Sequence, residues 1–378
     1  MPVAGQQTRG DRRERTDAWP MFRNGRGPGR FGHVFAALDL GTNNCRLLIA
    51  RPTSAGFRVI DAFSRIVRLG EGLTATGALS QHAMDRAIAA LRICADKMER
   101  RGVTLARQVA TEACRVAANA DLFVARVREE VGLTLDVISP GEEAELAVAG
   151  CVPLLDSSRR HALIFDIGGG STELMWLDLD AGLPRLRAWT SLPCGVVTMS
   201  ERHGGAESPA DFEAAVGEVA ERLHGFGQTL GLDPEDVAES HVIGTSGTVT
   251  TLAGIHLGLP RYERARVDGV WLDRAAIETT TRGLCGMAVQ ERAQHPCIGP
   301  DRADLVLAGC AILEGIHRTW PHRQLQVADR GLREGMLLAL MEAADRAPVR
   351  REQPAQDRPG PAELHPVARG AEALDPAG

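Results

Sequence analysis

The chain has 378 residues, is 44% hydrophobic and 24% charged, and carries a formal net charge of −6 at pH 7. This balance is typical of a globular protein with one to three domains. The negative charge argues against specific nucleic-acid binding, which needs a basic face to neutralise phosphates. No apolar run reaches the ~18 residues that a membrane-spanning helix requires.

Both ends of the chain lack hydrophobic periodicity. Residues 1–33 contain arginines among glycines and polar side chains, and residues 347–378 are rich in proline and small residues. We predict that both segments are disordered, because neither can bury enough apolar surface. The N-terminal segment lacks the apolar core of a secretory signal. The eight cysteines form no CxxC pair, so we expect buried free thiols and a cytoplasmic location.

The core begins with three short apolar runs, at residues 34–39, 45–51 and 57–64, which predict an antiparallel three-stranded meander. Apolar residues at helical spacing follow over 80–100, with Ser80 as the cap. The chain then alternates between predicted strands and helices: a strand over 107–111, a helix over 119–131 capped by Asn119, a strand over 133–138 and a helix over 141–151.

The second part of the core repeats this order. Residues 163–166, 173–178 and 186–191 predict another meander, and residues 209–230 predict a long helix. The remaining predicted elements are a strand over 241–244, a helix over 301–317, a strand over 324–328 and a final helix over 332–344.

Strands that alternate with helices, with each part opening on the same meander, predict an α/β fold of two duplicated domains that flank a cleft. We place the first domain at residues 34–141 and the second at residues 142–331. We expect the last helix, within residues 332–346, to pack back on the first domain.

One unusual turn occurs twice. Residues 36–50 read AALDLGTNNCRLLIA and residues 162–176 read ALIFDIGGGSTELMW, so that each turn follows an apolar strand that ends in aspartate. Glycine lets backbone N–H groups approach a ligand closely, and successive N–H groups around a concavity bind phosphate. The predicted phosphate-binding residues are Asp39, Gly41, Thr42, Asn43 and Arg46 in the first turn, and Gly168, Gly169, Gly170 and Ser171 in the second.

A third glycine-rich element, HVIGTSGTVT at residues 241–250, leads from a strand into a helix. It would place Gly244, Ser246 and Gly247 at a helix N-terminus, which favours anions. The alternative to phosphate binding is a purely structural role. The third element would then be an ordinary Ser/Thr helix cap, and the two repeated turns would be glycine-rich hairpins. The repeated turn, with aspartate at Asp39 and Asp166, favours phosphate binding. A carboxylate there is suited to hold a metal ion or to orient water.

These motifs resemble the fold shared by actin, sugar kinases, acetate kinase and the heat-shock ATPases. In detail the chain resembles the exopolyphosphatase and guanosine pentaphosphate phosphatase (Ppx/GppA) family. The matching stretches run in order over residues 34–346: ALDLGTNNCRLLIA, VRLGEGL, VATEACRVAANA, ISPGEEAELAVAG, LIFDIGGGSTEL, LPCGVV, IGTSGTVTTLAG and VADRGLREG. The resemblance implies a duplicated actin-like (ribonuclease H-like) ATPase fold in a short two-domain form.

The resemblance also implies roles for single residues. Glu143, the second glutamate of GEEAEL, would be the base that activates water. Arg115, which ends TEACR, would clamp a phosphate oxygen. Asp166 and Glu173 would hold a metal ion. The structural alternatives are helix-dipole stabilisation by Glu142 and Glu143, a surface arginine at Arg115 and an exposed strand residue at Glu173.

The function implied is a phosphohydrolase that releases terminal orthophosphate from inorganic polyphosphate through metal-assisted in-line attack of water. The implied cofactor is Mg²⁺ or another divalent cation, with K⁺ as a further candidate, and the implied assembly is a homodimer. Since no basic cluster stands out, scattered arginines such as Arg261, Arg264 and Arg266 are candidates to line a polyphosphate channel.

Three other functions are weighed against this one. Guanosine pentaphosphate is an alternative substrate, because the sequence does not reveal what lies beyond the terminal phosphates. A kinase of the same fold is disfavoured by the GEEAEL and TEACR segments. A non-catalytic alarmone or nucleotide-binding sensor is disfavoured because Glu143, Arg115 and both aspartate turns are intact.

Overall fold

The computed structural model describes residues 29–180 and 184–346, which form two β-sheets with helices packed against them. The disorder predicted for residues 1–28 and 347–378 lies outside the described residues. The end of the predicted N-terminal extension is ordered, since Arg30–Gly32 forms a 3-10 turn.

The first sheet contains five strands in the order β3-β2-β1-β4-β5. The strands are β1 (Phe35–Leu40), β2 (Asn44–Thr53), β3 (Gly56–Ile66), β4 (Leu105–Ala110) and β5 (Asp136–Val137). The first three form the predicted antiparallel meander, and β4 and β5 continue the sheet in parallel with β1.

The second sheet repeats this connectivity, in the order β8-β7-β6-β9-β11, with β10 added at the edge. Its strands are β6 (His161–Ile167), β7 (Thr172–Asp178), β8 (Arg185–Leu192), β9 (His241–Thr245), β10 (Trp271–Asp273) and β11 (Gln324–Ala328). Again an antiparallel meander is extended by parallel strands. The repeated order confirms the predicted duplicated actin-like α/β fold.

The helices are α1 (Leu73–Thr76), α2 (Gln81–Arg100), α3 (Glu112–Val116), α4 (Ala120–Val131), α5 (Pro140–Cys151), α6 (Val196–Arg202), α7 (Pro209–Leu230), α8 (Pro234–Glu239), α9 (Ser246–His256), α10 (Arg264–Val267), α11 (Arg274–Cys285), α12 (Val289–Gln294), α13 (Val306–Thr319) and α14 (Leu332–Arg346). Among the described residues, no helix is both long enough and apolar enough to span a membrane. Ser80 caps α2 as predicted, by accepting a hydrogen bond from the amide of Ala83.

Several local predictions were wrong in detail. The strand expected over 133–138 shortens to the two residues of β5. Asn119 precedes α4 but makes no capping bond, because its side-chain amide binds the backbone N–H and C=O of Leu79 instead. The helix expected to start at residue 301 starts at Val306.

Two helices lie between the sheets. Leu146 of α5 packs with Met336 and Leu337 of α14 against the first sheet. The neighbouring face of α5, with Ala147 and Val148, packs against the second sheet. The final helix therefore contacts the first sheet. Its assignment to the first domain stays a prediction. The domain boundary that we propose at residues 141/142 falls within α5. We call residues 34–139 the first half and residues 161–331 the second half.

Glycine permits the close approach of these two central helices. A Cβ atom on Gly335 of α14 would lie 1.9 Å from the carbonyl oxygen of Leu146, and one on Gly150 of α5 would lie 2.0 Å from that of Gly331. Neither oxygen can move alone, because both belong to the backbone.

We predict that Gly335→Ala destabilises the protein by about 1–3 kcal/mol, because the added methyl group forces the two helices apart. The matched control is Gly217→Ala on α7, where no atom lies within 4 Å of the new Cβ. Alanine is the better helix former, so Gly217→Ala should raise stability by up to about 1 kcal/mol. Urea unfolding of both variants checks the pair; equal effects would contradict the helix-contact explanation.

Candidate active site

The two repeated turns have the same backbone geometry. Asp39 pairs with Arg46 across β1 and β2, and Asp166 pairs with Glu173 across β6 and β7. In the first turn the amide of Gly41 donates to the carbonyl of Asn44 (2.8 Å), and in the second that of Gly168 donates to Ser171 (2.9 Å). These two glycine amides therefore close the turns, although both residues were predicted to bind phosphate.

The carbonyl groups of the first turn are held from behind by residues 67–70. The amide of Gly70 donates to the carbonyl of Thr42 (2.9 Å), and that of Val67 donates to the carbonyl of Asn43 (2.8 Å). In a trans peptide the C=O and N–H groups point in opposite directions. The amides of Asn43 and Asn44 therefore point away from this backing segment.

The second turn is held in the same way by residues 195–197, at the start of α6. Their amides donate to the carbonyls of Gly170 (3.1 Å), Gly168 (2.9 Å) and Gly169 (2.8 Å), respectively. The amides of Gly169, Gly170 and Ser171 thus point away from α6. Gly195 must be glycine here, because a Cβ atom would lie 2.3 Å from the backbone of Gly169.

The tips of the two turns touch each other. A Cβ atom on Gly169 would lie 2.9 Å from the amide nitrogen of Asn43, and one on Gly170 would lie 2.7 Å from Oγ1 of Thr42. The glycine run therefore serves the contact between the two halves as well as the exposure of its amides. The sequence indicated only the second purpose.

A cavity of about 860 Å³ lies against both turns. The predicted residues that line it are Asp39, Gly41, Thr42, Asn43, Arg46, Glu143, Asp166, Gly168, Gly169, Gly170, Ser171, Glu173, Ser246 and Gly247. Buried polar atoms without a partner in the described part of the chain include Oγ1 of Thr42 and Oδ1 of Asn43 and Asn44. Such atoms cost free energy unless a ligand or water binds them.

Glu143 lines this cavity and is fixed by Arg115. Nη1 of Arg115 lies 2.7 Å from Oε2 of Glu143 and also donates to the carbonyl of Ile138 (3.0 Å). Nη2 of the same guanidinium lies 2.8 Å from Oε2 of Glu112. Burial, with the nearby charge of Glu173, raises the pKa of Glu143, and Arg115 opposes that rise. Arg115 therefore lies behind Glu143, away from the cavity lining.

Glu142 has a different environment from its neighbour. It pairs with Arg107 on β4, and its backbone amide donates the capping bond to Oγ of Ser139 at the start of α5. The position of Glu142 is therefore explained by its structural contacts in the first turn of α5, whereas Glu143 faces the cavity.

Three further carboxylates lie in the cavity wall, where Glu173 is buried and Asp39 and Asp166 are partly buried. Burial raises the pKa of Asp39, raises that of Asp166 to about 6 with help from Asp39, and raises that of Glu173 to about 7 with help from Asp166. Oε1 of Glu173 accepts hydrogen bonds from Ser171 (2.6 Å) and Ser191 (2.7 Å). Glu173 is thus buried and ordered, not an exposed strand residue.

No group of three His, Cys, Asp or Glu side chains within residues 29–180 and 184–346 is close enough to hold a metal ion by itself. The donors nevertheless suit a hard cation, because they are carboxylate oxygens whose pKa values are raised by burial and by the neighbouring carboxylates. Mg²⁺ commonly uses only one or two protein carboxylates, with water and substrate phosphate as its other ligands. Asp166 and Glu173 fit that pattern.

The third glycine element contributes less than predicted. Gly244 lies inside β9, where a Cβ atom would lie 2.7 Å from the ring of Phe165, so it is a packing residue outside the cavity lining. Ser246 has a positive φ of 79°, and its hydroxyl donates to the carbonyl of Ile167. Gly247, in the first turn of α9, remains open to the cavity.

The sequence interpretation missed two arginines. Arg302 and Arg333 line the cavity with Arg46, and in the described part of the chain none of the three lies within 4 Å of a carboxylate. Arg333 belongs to the quoted VADRGLREG motif, which was a usable signal, whereas nothing in the sequence marked Arg302. Of the arginines proposed for a channel, Arg264 lines the cavity but pairs with Glu334 at 2.6 Å; Arg261 and Arg266 are outside its lining.

We predict that Gly70→Ala destabilises the protein by about 1–3 kcal/mol, because the new Cβ atom would lie 2.3 Å from Cγ2 of Thr42. Thr42→Ser removes Cγ2 but keeps the hydroxyl, so the double variant should recover most of the loss. Urea unfolding of the two single variants and the double variant measures this rescue. Additive effects would show that the backing contact does not limit the turn.

Comparison with known proteins agrees with this geometry. The model of the Ppx/GppA phosphatase family matches residues 48–344. Exopolyphosphatase 2 of Mycobacterium tuberculosis is 32% identical over 321 residues, which are 81% of this chain and 98% of the relative. The crystal structure of the Aquifex aeolicus Ppx/GppA family member is 27% identical with a TM-score of 0.67, over 83% of this chain and 99% of that one.

A second crystal structure, of an exopolyphosphatase-like protein, is 28% identical with a TM-score of 0.74, over 81% of this chain and 97% of that one. The family match covers most of the chain and includes most of the residues that line the cavity, although the first turn, residues 39–46, precedes the matched range. The chain belongs to the Ppx/GppA phosphatase family and is a hydrolase of phosphoric anhydrides.

Proposed function

We propose that the protein is an exopolyphosphatase, which releases terminal orthophosphate from inorganic polyphosphate. The observation that carries this proposal is the pair of turns whose carbonyls are bound from behind and whose amides point the other way, beside a buried glutamate. Oriented amides bind phosphate without the cost of reorganising solvent. The name of the Mycobacterium tuberculosis relative supports polyphosphate as the substrate class.

The amides of Gly169, Gly170 and Asn43 would hold the terminal phosphoryl group in the cavity that lies against both turns. Glu143 would accept a proton from the water that attacks phosphorus in line with the leaving oxygen. Its buried position raises its pKa, so the carboxylate is a stronger base than an exposed glutamate. Arg115 would fix the orientation of Glu143 through the 2.7 Å bond.

A divalent cation such as Mg²⁺ would be held by Asp166 and Glu173, and when bound it would neutralise charge on the phosphate oxygens. Glu173 is buried and Asp166 is partly buried in the cavity wall, and burial raises the pKa of both side chains. The homodimer and the cytoplasmic location stay predictions.

We predict that Glu143→Gln lowers phosphate release at least about 100-fold, because general-base catalysis contributes a factor of that order. The matched control is Glu142→Gln, since Glu142 pairs with Arg107 outside the base position. Release is measured with Mg²⁺ on long-chain polyphosphate and on guanosine pentaphosphate in parallel. Wild-type release from guanosine pentaphosphate alone would replace the proposed substrate, and equal losses in the two variants would contradict the assignment of the base.

We predict that Arg115→Ala moves the acid limb of the pH profile of kcat/KM to higher pH. The base acts when it is deprotonated, and Arg115 lowers the pKa of Glu143. Loss of the guanidinium therefore raises that pKa, and activity appears only at higher pH. Arg115→Lys keeps a positive charge and should restore part of the shift. A raised KM with an unmoved limb would indicate instead that Arg115 clamps phosphate.

A further inference from the structure

We propose that Arg68 is a positioning residue: its bridge to Asp304 joins the two halves and places Arg302 where it binds the phosphate of the leaving chain. This inference rests on the proposed function, because it says which residue binds the leaving chain, the part of the phosphoanhydride that remains after hydrolysis.

The backbone of Arg68 is held in an uncommon conformation. Its φ is +45°, in the left-handed region, which disfavours residues other than glycine. Its amide donates to the carbonyl of Asn43 (3.0 Å), and its own carbonyl accepts a bond from Arg86 (3.1 Å). The strain is therefore imposed by the segment that backs the first turn, and it fixes the direction in which the side chain leaves the backbone.

That side chain crosses to the second half. Nη1 and Nη2 lie 2.8 and 2.9 Å from the two carboxylate oxygens of Asp304, and Nη2 also donates to the carbonyl of Asp301 (3.1 Å). The fork geometry is the strong, directional form of an arginine–carboxylate contact. One guanidinium thereby fixes both ends of a four-residue segment, 301–304.

Further bonds support the same crossing. The hydroxyl of Ser200 donates to the carbonyl of Asp304 (3.2 Å), and the amide of Gly72 donates to the carboxylate of Glu201 (2.8 Å). Ser200 and Glu201 lie on α6, whose first amides hold the second turn. The segments that back the two turns are thus bonded to each other and to segment 301–304.

Arg302 lies within that segment and reaches into the cavity. Its Nη1 is 3.6 Å from the position of a Cβ atom on Gly247, and Nη2 of Arg46, from the first half, is 3.9 Å from the same point. The only hydrogen-bond partner of the Arg302 side chain among the described residues is Thr251, at 3.5 Å. Both guanidinium groups thus approach the same point of the cavity wall, and neither has a carboxylate within 4 Å among the described residues. This arrangement is unfavourable unless an anion binds beside them.

The positions of these groups on the cavity wall indicate which phosphate this is. Glu143 lies on α5, where Arg115 of α3 fixes it, whereas Arg46 and Arg302 both approach Gly247 at the start of α9. The base and the two guanidiniums therefore lie on different parts of the cavity wall. With water attacking from the side of Glu143, the leaving chain extends towards Arg46 and Arg302. The site thus takes a phosphate beyond the scissile bond.

The test is a double-mutant cycle between Arg68 and Arg302. We expect Arg68→Ala and Arg302→Ala each to raise KM by about tenfold. Because Arg68 acts through Arg302, Arg68→Ala should raise KM by less than about twofold when Arg302 is already alanine. Kinetics use whichever of long-chain polyphosphate or guanosine pentaphosphate the wild type hydrolyses. Calorimetric Kd values for inorganic tripolyphosphate, measured with Glu143→Gln present in every variant, give the same cycle without turnover.

The matched variants are Asp304→Asn and Glu213→Gln. Glu213 accepts a fork contact from Arg318 at 2.6 and 2.9 Å within the second half, so its loss should leave KM and Kd unchanged. Asp304→Asn should reproduce Arg68→Ala while leaving the strained backbone intact. Because exposed ion pairs add little to stability, melting temperatures should change by no more than roughly 5 °C.

Two results would overturn the proposal. One is an additive cycle, in which Arg68→Ala costs as much with Arg302 absent as with it present. The other is an unchanged KM and Kd in Asp304→Asn. Absence of hydrolysis by the wild type, with the binding cycle still coupled, would count against the proposed function and leave this inference standing.

Discussion

The site depends on the fixation of carbonyl groups from behind. A turn that exposes N–H groups to an anion must direct its carbonyls elsewhere, and those carbonyls need donors of their own. Residues 67–70 supply them to the first turn and residues 195–197 to the second. The two backing segments are separate in sequence and differ in structure, one a loop and the other a helix start. Both reach the same result, which is a row of amides facing away from the donors.

This constraint extends to the cleft between the halves. The central helices α5 and α14 approach closely through Gly150 and Gly335, and the turn tips meet through Gly169 and Gly170. Four positions without side chains therefore set the distance between the two sheets. The buried carboxylates beside them raise one another's pKa, an arrangement that suits the binding of positive charge and phosphate together.

Much of the fold could be predicted from the sequence, because its signals are local. Alternating apolar residues indicated both meanders, and Ser80 indicated the start of α2. The site was predicted where a motif repeats, as at Asp39 and Asp166. The functions of Gly70 and Gly195 could not be predicted, because they depend on contacts with backbone far along the chain. Arg302 lies in a segment without a local pattern, and only the fold brings it beside Arg46.

The contact between the turn tips has an evolutionary consequence for the duplicated halves. Copies that arise by duplication can at first accumulate substitutions independently. Once Gly170 touches Thr42 and Gly169 touches Asn43, a larger residue in one copy is tolerated only if the other copy yields space. Substitutions in the two turns should then be correlated, so that larger side chains occur in one turn only where the other turn has small ones. Here Thr-Asn-Asn at residues 42–44 faces Gly-Gly-Ser at residues 169–171.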